Sequence, residues 1–180
     1  MEATVPPLSL DDIARVLQKK RKPTQFFTYK ELPESRSDLA ALLLSFPPRF
    51  LFYTDAAQGE VGHWTAMRRE GRHIWWFSSY GFLPDGELMV SPLLRNAQGQ
   101  GSNKIAEALR LLQQSGYVIH YSSVPLQNLR VPTTSCGIWC LMFLTSKINN
   151  FESFEDKLLS LSIPEKYAAA IYKKEFGDRP

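Results

Sequence analysis

The spacing of apolar residues predicts two short helices near the start of the chain. The apolar positions of the first are Leu10, Ile13, Val16 and Leu17, which share one helical face. Ser9 is a suitable N-cap for this helix, and Pro23 ends it, because proline cannot continue a helix. A second short helix is predicted from Ser37 to Leu44.

Aromatic-rich apolar segments in the middle of the chain predict strands. They are Phe50 to Thr54, His63 to Arg68, Ile74 to Ser79 and Tyr117 to Ser122. The turn Glu70-Gly71-Arg72 predicts a hairpin between the second and third segments. Alternation places the odd-numbered residues from His63 to Met67 on one face of the sheet, and Trp64 and Ala66 on the other.

Helical spacing returns in the second half of the chain. A polar loop, Asn96 to Asn103, precedes a helix whose apolar positions are Ile105, Ala108, Leu109 and Leu112. The segment from Cys136 to Lys147 is apolar nearly all round, which predicts a central buried helix. Two further helices follow, the last beginning with a capping box from Ser162 to Glu165. Strands in the middle with helices before and after them indicate an α+β class.

Composition narrows the class of protein. The chain has 180 residues, 44% of them hydrophobic, which suits one domain with a sizeable core. No apolar run approaches the roughly 18 residues that a membrane span requires, and the N-terminus has no basic-then-apolar signal pattern. Two cysteines and three scattered histidines are too few for a disulfide scaffold or a metal site. We therefore expect an intracellular, reducing compartment, no membrane association and no bound metal.

Cys136 stands where a polar segment enters the predicted buried helix. Free amides and the positive dipole end of a helix stabilise a thiolate, which lowers a thiol pKa from about 8.5 and creates a nucleophile. The same amides can donate to an oxyanion, and Gly137 would let a substrate backbone approach closely. The alternative is that Cys136 is an inert core residue, which is the interpretation for Cys140 deeper in the helix.

A cysteine nucleophile needs a base, and the chain offers three histidines. His63 begins a predicted strand between Gly62 and Trp64, where an imidazole could face a cleft. His73 lies beside a charged turn, and His120 lies within a predicted strand. His63 is therefore the favoured base.

Four segments, in order, resemble the adenovirus protease (adenain) family, which is related to the SUMO and ubiquitin-like proteases. They are Gly62-His63-Trp64, Trp76 to Phe82, Gln127, and Ser135 to Leu144. The order of His before Cys separates these enzymes from papain-like ones. The resemblance implies one peptidase domain over residues 1–180, with a central mixed sheet, a buried helix bearing the nucleophile, and flanking helices.

The resemblance also implies the roles of individual residues. Cys136 is the nucleophile, His63 the general base, and Gln127 a side-chain donor to the oxyanion hole. The family has Asp or Glu where this chain has Ser78, so the histidine lacks its orienting charge. Three outcomes stay open: a Cys–His pair with weaker orientation, another carboxylate such as Asp85 in that role, or lost activity.

Substrate and activator expectations follow from the same resemblance. These enzymes cut after Gly in extended segments, and Trp64 is expected to line the narrow cleft with Gly137, although Trp64 suits a core position equally. The chemistry needs no cofactor, and DNA is the candidate activator. The basic run Lys19, Lys20, Arg21 and Lys22 is its candidate site, or else a solvated helix end or nuclear-import signal. No cysteine remains for a disulfide-linked activating peptide.

Three functions are consistent with these residues. The first is a monomeric viral maturation peptidase that processes capsid and core precursors in the virion and in the nucleus of the infected cell. The second is a deubiquitinating or deSUMOylating peptidase of the same fold. The third is a catalytically weakened relative that only binds its partners, and the serine at position 78 is its main support.

Overall fold

A computed structural model of the chain describes residues 5–55, 62–86, 103–127, 134–147 and 151–177. The strands in these ranges are β1 (Gln25–Thr28), β2 (Arg49–Thr54), β3 (His63–Glu70), β4 (His73–Ser78) and β5 (Val118–Tyr121). The helices are α1 (Leu10–Lys19), α2 (Arg36–Leu43), α3 (Lys104–Gln114), α4 (Cys136–Thr145), α5 (Phe151–Leu159) and α6 (Pro164–Phe176). The predicted α+β class is therefore confirmed. Except for Asn103, the predicted loop Asn96 to Asn103 lies outside the described residues.

The five strands form one mixed sheet in the order β1-β2-β3-β4-β5. The outer pairs β1–β2 and β4–β5 are parallel, and the inner pairs β2–β3 and β3–β4 are antiparallel. The predicted hairpin joins β3 to β4, and Gly71 takes a positive φ of 55° at its turn. The sheet is thus a meander of three strands with a parallel strand added at each edge.

The sheet separates two apolar cores, one on each face. The first contains Leu51, Trp64, Ala66 and Phe77 beneath α4, with α1 and α6 packed outside it. The second contains Phe50, Phe52, Met67 and Trp76 beneath α2 and α3. Trp64 and Ala66 therefore face one core and Met67 the other, which confirms the alternation predicted for β3.

Helix α4 is buried over most of its surface, as its sequence predicts, and Met142 and Thr145 are half-buried. Its inner face packs on β3 and β4, where the rings of Phe77 and Phe143 stack with centroids 5.1 Å apart. Its C-terminus is capped from inside the protein, because the buried Arg68 donates to the carbonyl oxygen of Ser146 at 2.7 Å. A charged side chain thereby satisfies the helix end within the core.

Gly137 does not have the environment predicted for it. A methyl group at this position would lie 3.0 Å from Cβ of Leu8 and 3.4 Å from Cδ1 of Ile13. The absent side chain therefore makes room for the N-terminal segment of the same chain, and the prediction that Gly137 admits a substrate backbone is wrong on this packing.

The start of α6 also departs from the sequence prediction. Ile163 occupies the N-cap position without a side-chain cap, and Pro164 takes the first helical turn, where its missing N–H costs nothing. The capping box from Ser162 does not form. The Glu165 carboxylate instead accepts a hydrogen bond from Ser135 Oγ at 2.8 Å. None of the helices within the described ranges has both the length and the apolar character that crossing a bilayer demands.

Candidate active site

Cys136 is the first residue of α4 and lies against the start of β3. Its side chain is buried, and the residue is 5% exposed. The backbone N–H groups of Trp64, Gly137 and Cys136 itself lie close enough to the thiol sulfur to favour its thiolate form. Since the Trp64 amide belongs to the peptide bond that joins it to His63, the helix start and the strand start meet at Cys136.

The resting thiol is harder to ionise than an ordinary cysteine. Burial raises the pKa of Cys136 to about 11, because desolvation outweighs the three amides that favour the thiolate. The nearby Glu165 carboxylate raises this pKa further. The prediction that the helix dipole would leave Cys136 with a lowered pKa is therefore wrong for the resting protein.

His63 is held between an aromatic ring and a serine. Its ring stacks on Tyr80 with centroids 4.6 Å apart, and its Nε2 lies 3.5 Å from Ser78 Oγ, a long hydrogen-bond distance. Although the residue keeps some solvent exposure, desolvation of the ring lowers the pKa of His63 to about 3. The imidazole is consequently neutral at physiological pH.

Ser78 occupies a fully buried position at the end of β4. Its Oγ also accepts a hydrogen bond from the backbone N–H of Tyr80 at 3.4 Å. The serine thus ties the turn after β4 to the imidazole of His63. It offers that ring a hydroxyl dipole and no charge.

Asp85 forms its hydrogen bonds with Tyr29 and the start of α3 rather than with His63. Its carboxylate accepts hydrogen bonds from the Tyr29 hydroxyl at 2.7 Å and from the Ala106 N–H at 2.8 Å. It therefore serves the N-terminus of α3, where a negative charge is favourable. The alternative in which Asp85 orients His63 is not supported by these contacts.

Gln127 is anchored to Ser79, the residue that follows Ser78. Its backbone N–H donates to the Ser79 carbonyl oxygen at 3.1 Å, and its side-chain Oε1 accepts a short hydrogen bond from Ser79 Oγ. Because the oxygen end of the carboxamide faces Ser79, the NH₂ end is directed away from it. Sequence reasoning missed Ser79, whose only signal was a second serine next to Ser78. Residues 128–133, between Gln127 and α4, are not described.

One cavity adjoins the thiol and a second lies next to the first, and Trp64 lines both. The first, of about 230 Å³, is bordered by Cys136, Gly62, Leu8 and Tyr53 as well as Trp64. The second cavity, of about 410 Å³, is also bordered by Leu8, Tyr53 and Trp64 and extends toward β1. The rings of Tyr53 and Trp64 lie 4.5 Å apart between centroids, and the indole N–H of Trp64 donates to the Leu8 carbonyl oxygen at 3.1 Å. An aromatic-walled cleft therefore leads away from Cys136.

The basic run at the end of α1 is not uniform. Lys20 forms a 2.5 Å ion pair with Glu175, whereas Lys19 and Arg21 are exposed. The pKa of Lys22 is lowered, first by burial and then by the positive charges of Arg49, Arg68 and Lys147. Ser9, at the other end of α1, borders the cleft, so the basic run lies about one helix length, roughly 15 Å, from it.

The two remaining histidines pair with each other across the neighbouring strands β4 and β5. Nδ1 of His73 lies 2.9 Å from Nε2 of His120, and both rings stack against Trp75. Within the described residues, no three His, Cys, Asp or Glu side chains cluster as a metal site would require. His63 is thus the histidine that begins β3, next to Trp64, which borders the same cavity as Cys136.

Comparisons with known proteins add a viral likeness. A scan against models of known protein families finds no match. Among curated proteins, the chain is similar to the "Uncharacterized protein V9" of the Sputnik virophage, with 30% identity over 109 residues. The similarity covers 58% of this chain and 61% of that protein, so the chain spans about three fifths of the relative's length.

Proposed function

We propose that the protein is a viral cysteine peptidase of the adenain and ubiquitin-like-protease fold, with Cys136 as nucleophile and His63 as general base. The observation that carries the proposal is the packing of α4 against β3, which brings the backbone N–H of Trp64, the residue after His63, close enough to the Cys136 sulfur to favour its thiolate. The long contact of Ser78 with His63 and the anchored carboxamide of Gln127 supply the two further positions that such a site needs.

The resting pair is neutral, so proton transfer accompanies substrate attack. The thiol pKa is about 11 and the imidazole pKa about 3. Moving the proton from Cys136 to His63 therefore costs about 11 kcal/mol, not counting the attraction between the two charges that result. Even if the two charges came within about 4 Å of each other, their attraction would return only about 4 kcal/mol at an effective dielectric constant of about 20. Ionisation in advance is therefore unfavourable, and the pair works by general-base catalysis once a carbonyl carbon is in place.

The chemical steps follow from the positions of the donors. The Cys136 sulfur attacks the scissile carbonyl carbon as His63 takes the thiol proton, on Nδ1 because Nε2 faces Ser78. The carbonyl oxygen becomes an oxyanion between the Cys136 N–H and the Gln127 carboxamide. His63 then protonates the leaving amine, the C–N bond breaks, and water hydrolyses the thioester by the same base.

The cleft and the viral likeness bear on the substrate. Tyr53 and Trp64 wall a narrow passage, which favours extended segments with Gly before the scissile bond, as in the resembled family. The similarity to a virophage protein supports a viral setting. The resembled family suggests capsid and core precursors as substrates, cut during particle maturation in the virion or the infected nucleus. DNA, bound at the basic run from Lys19 to Lys22, is the proposed activator.

A binding-only protein is the second candidate, because two observations favour it. The pKa of Cys136 is raised, and Ser78 brings no charge to His63. Such a protein would retain the cleft and bind extended peptides without cleaving them. A deubiquitinating or deSUMOylating activity shares the chemistry of the first candidate and differs in its recognition of a folded partner.

Covalent capture separates these functions. The protein would be incubated with a Gly-Gly peptide ending in an acyloxymethyl ketone, with and without duplex DNA, and analysed by intact mass. We expect one adduct in the wild type and in Cys140→Ser, none in Cys136→Ser, and slow labelling in His63→Ala. Equal labelling of wild type and Cys136→Ser would contradict the proposal. Faster capture by a ubiquitin-like probe than by the peptide would favour the deubiquitinating activity.

A further inference from the structure

A second concave surface lies among the helices that follow the candidate nucleophile. This groove, of about 390 Å³, opens between the C-terminal half of α4, α5 and α6, and none of its lining residues borders the cavities next to Cys136. Its floor is apolar and consists of Leu141, Met142, Phe154, Leu158 and Ile171. The volume is that of a pocket able to hold a few side chains.

The rim of the groove is strongly basic. Lys20, Lys147, Lys157 and Lys174 line it together with one carboxylate, Glu175. That carboxylate is already engaged, since it pairs with Lys20 at 2.5 Å and its side chain is only 11% exposed. Of the other carboxylates that the structure describes, none lies within salt-bridge distance of the remaining three lysines. Among the described residues, the groove therefore carries positive charge without a matching anion.

The positive field continues beyond the rim at Lys147. Arg49 and Arg68 lie opposite each other on neighbouring strands and donate to carbonyl oxygens at the C-terminal end of α4. Lys22 lies close enough to these three cations for their charge to lower its pKa, after the larger effect of burial. Glu70, which forms an ion pair with Arg68, offsets part of this repulsion, and an anionic group brought to this edge would relieve more of it.

From the apolar floor and the basic rim we infer that this groove docks an acidic segment of a protein partner. Apolar side chains of the segment cover the floor, and its carboxylates face Lys147, Lys157 and Lys174. A nucleic-acid backbone would satisfy the lysines but would leave the apolar floor uncovered, because phosphodiesters offer no apolar side chains. The docking surface is separate from the proposed peptidase chemistry and does not depend on it.

Selection from a library of random linear peptides tests the inference without assuming a sequence. Peptides would be selected on the wild type and counter-selected on Lys157→Glu/Lys174→Glu, both exposed positions. The control, Arg36→Glu/Arg110→Glu, has the same charge change at exposed positions on α2 and α3, which cover the other face of the sheet. We expect enriched peptides that combine Asp or Glu with Leu, Phe or Trp.

Binding of the enriched peptides, synthesised and labelled, would then be measured by fluorescence anisotropy. Reversal of the groove charges should weaken binding about tenfold or more, whereas the control variant should bind as the wild type does. Replacing either the peptide carboxylates by amides or its apolar residues by serine should weaken binding as well.

Two results would overturn the inference. One is selection of peptides that bind the groove variant and the wild type equally. The other is tighter binding by a mixed-sequence oligonucleotide that is lost on groove reversal, which would assign the surface to nucleic acid. Capture of Cys136 by the ketone probe should be unchanged in both double variants. The peptide-binding result and the capture of Cys136 are therefore independent, so either proposal can fail while the other holds.

Discussion

Replacing Ser78 by aspartate should restore reactivity to the Cys136–His63 pair. Ser78 Oγ lies 3.5 Å from Nε2 of His63, so a carboxylate at this position would face the imidazole directly. A negative charge there favours the imidazolium and raises the pKa of His63, which burial holds at about 3. The thiolate of Cys136 is in turn stabilised by the charged ring.

The size of the effect can be worked out from this geometry. Opposite charges about 4 Å apart attract by about 4 kcal/mol at an effective dielectric constant of 20, which corresponds to about 3 pKa units. Ser78 is fully buried, so desolvation of the new carboxylate opposes part of this gain. We expect a net rise of about 1 to 2 units in the pKa of His63. Each unit makes the thiolate–imidazolium pair about ten times more populated.

The assay is the rate of Cys136 alkylation as a function of pH, located by peptide mapping so that Cys140 is scored separately. The wild type should react slowly at pH 7, and its rate should keep rising above pH 9, because burial raises the thiol pKa to about 11. Ser78→Asp should react about tenfold faster or more at pH 7. Ser78→Asn, which has nearly the same size without the charge, is the matched control.

Two outcomes would refute this reasoning. If Ser78→Asp and Ser78→Asn react alike, charge at this position does not act on His63. If Ser78→Asp reacts faster and His63→Ala in the same background does not slow it, the carboxylate acts on Cys136 by another route. Thermal unfolding of each variant would exclude a loosened fold as the cause of faster alkylation.

Three further predictions concern His63 and the residues around the Cys136–His63 pair. Gln127→Ala should lower kcat for peptide cleavage about a hundredfold or more, and Ser79→Ala should lower it less. An unchanged kcat in Gln127→Ala would show that Gln127 is not part of the oxyanion hole. Because the folded pKa of His63 lies below its ordinary 6.5, the unfolded chain binds the proton more readily and stability falls as pH decreases from 6.5 toward 3. Urea titrations at each pH would measure the free energy of unfolding of the wild type and of His63→Gln. Between pH 7 and pH 5 it should fall by about 2 kcal/mol more in the wild type than in the variant. Equal falls in the two proteins would contradict a buried neutral ring. Gly137→Ala should destabilise the wild type by about 1 to 3 kcal/mol and should be better tolerated in Leu8→Gly, where the Cβ atom that makes the 3.0 Å contact is absent. Additive effects in this double-mutant cycle would contradict the packing.

Sequence reasoning succeeded where the determining interactions are local or periodic. The all-apolar run of α4, the alternation in β3 and the glycine turn of the hairpin each follow from a few neighbouring residues, and the structure has them as predicted. Strand β1 was missed because its four residues, Gln25–Thr28, are all half-buried and show no alternation. Its existence depends on parallel pairing with the distant β2.

The candidate site was less predictable, because its electrostatics come from distant packing. The helix dipole at Cys136 is a local effect that sequence shows, but the desolvation that outweighs it comes from neighbouring elements. From the sequence, Gly137 is predicted to admit a substrate backbone, whereas in the structure Leu8, more than a hundred residues earlier in the chain, lies against it. The anchoring of Gln127 by Ser79 likewise joins two loops that no pattern connects.

The most direct test of the peptidase claim is cleavage of a proteome-derived peptide library, read by mass spectrometry of the new N-termini. Wild-type protein, with a reducing agent and duplex DNA, should produce cleavages after Gly in extended sequences, and both Cys136→Ala and His63→Ala should produce none. New N-termini that appear equally with wild type and Cys136→Ala, or no cleavage by wild type with or without DNA, would contradict the account. The binding-only function would then take its place.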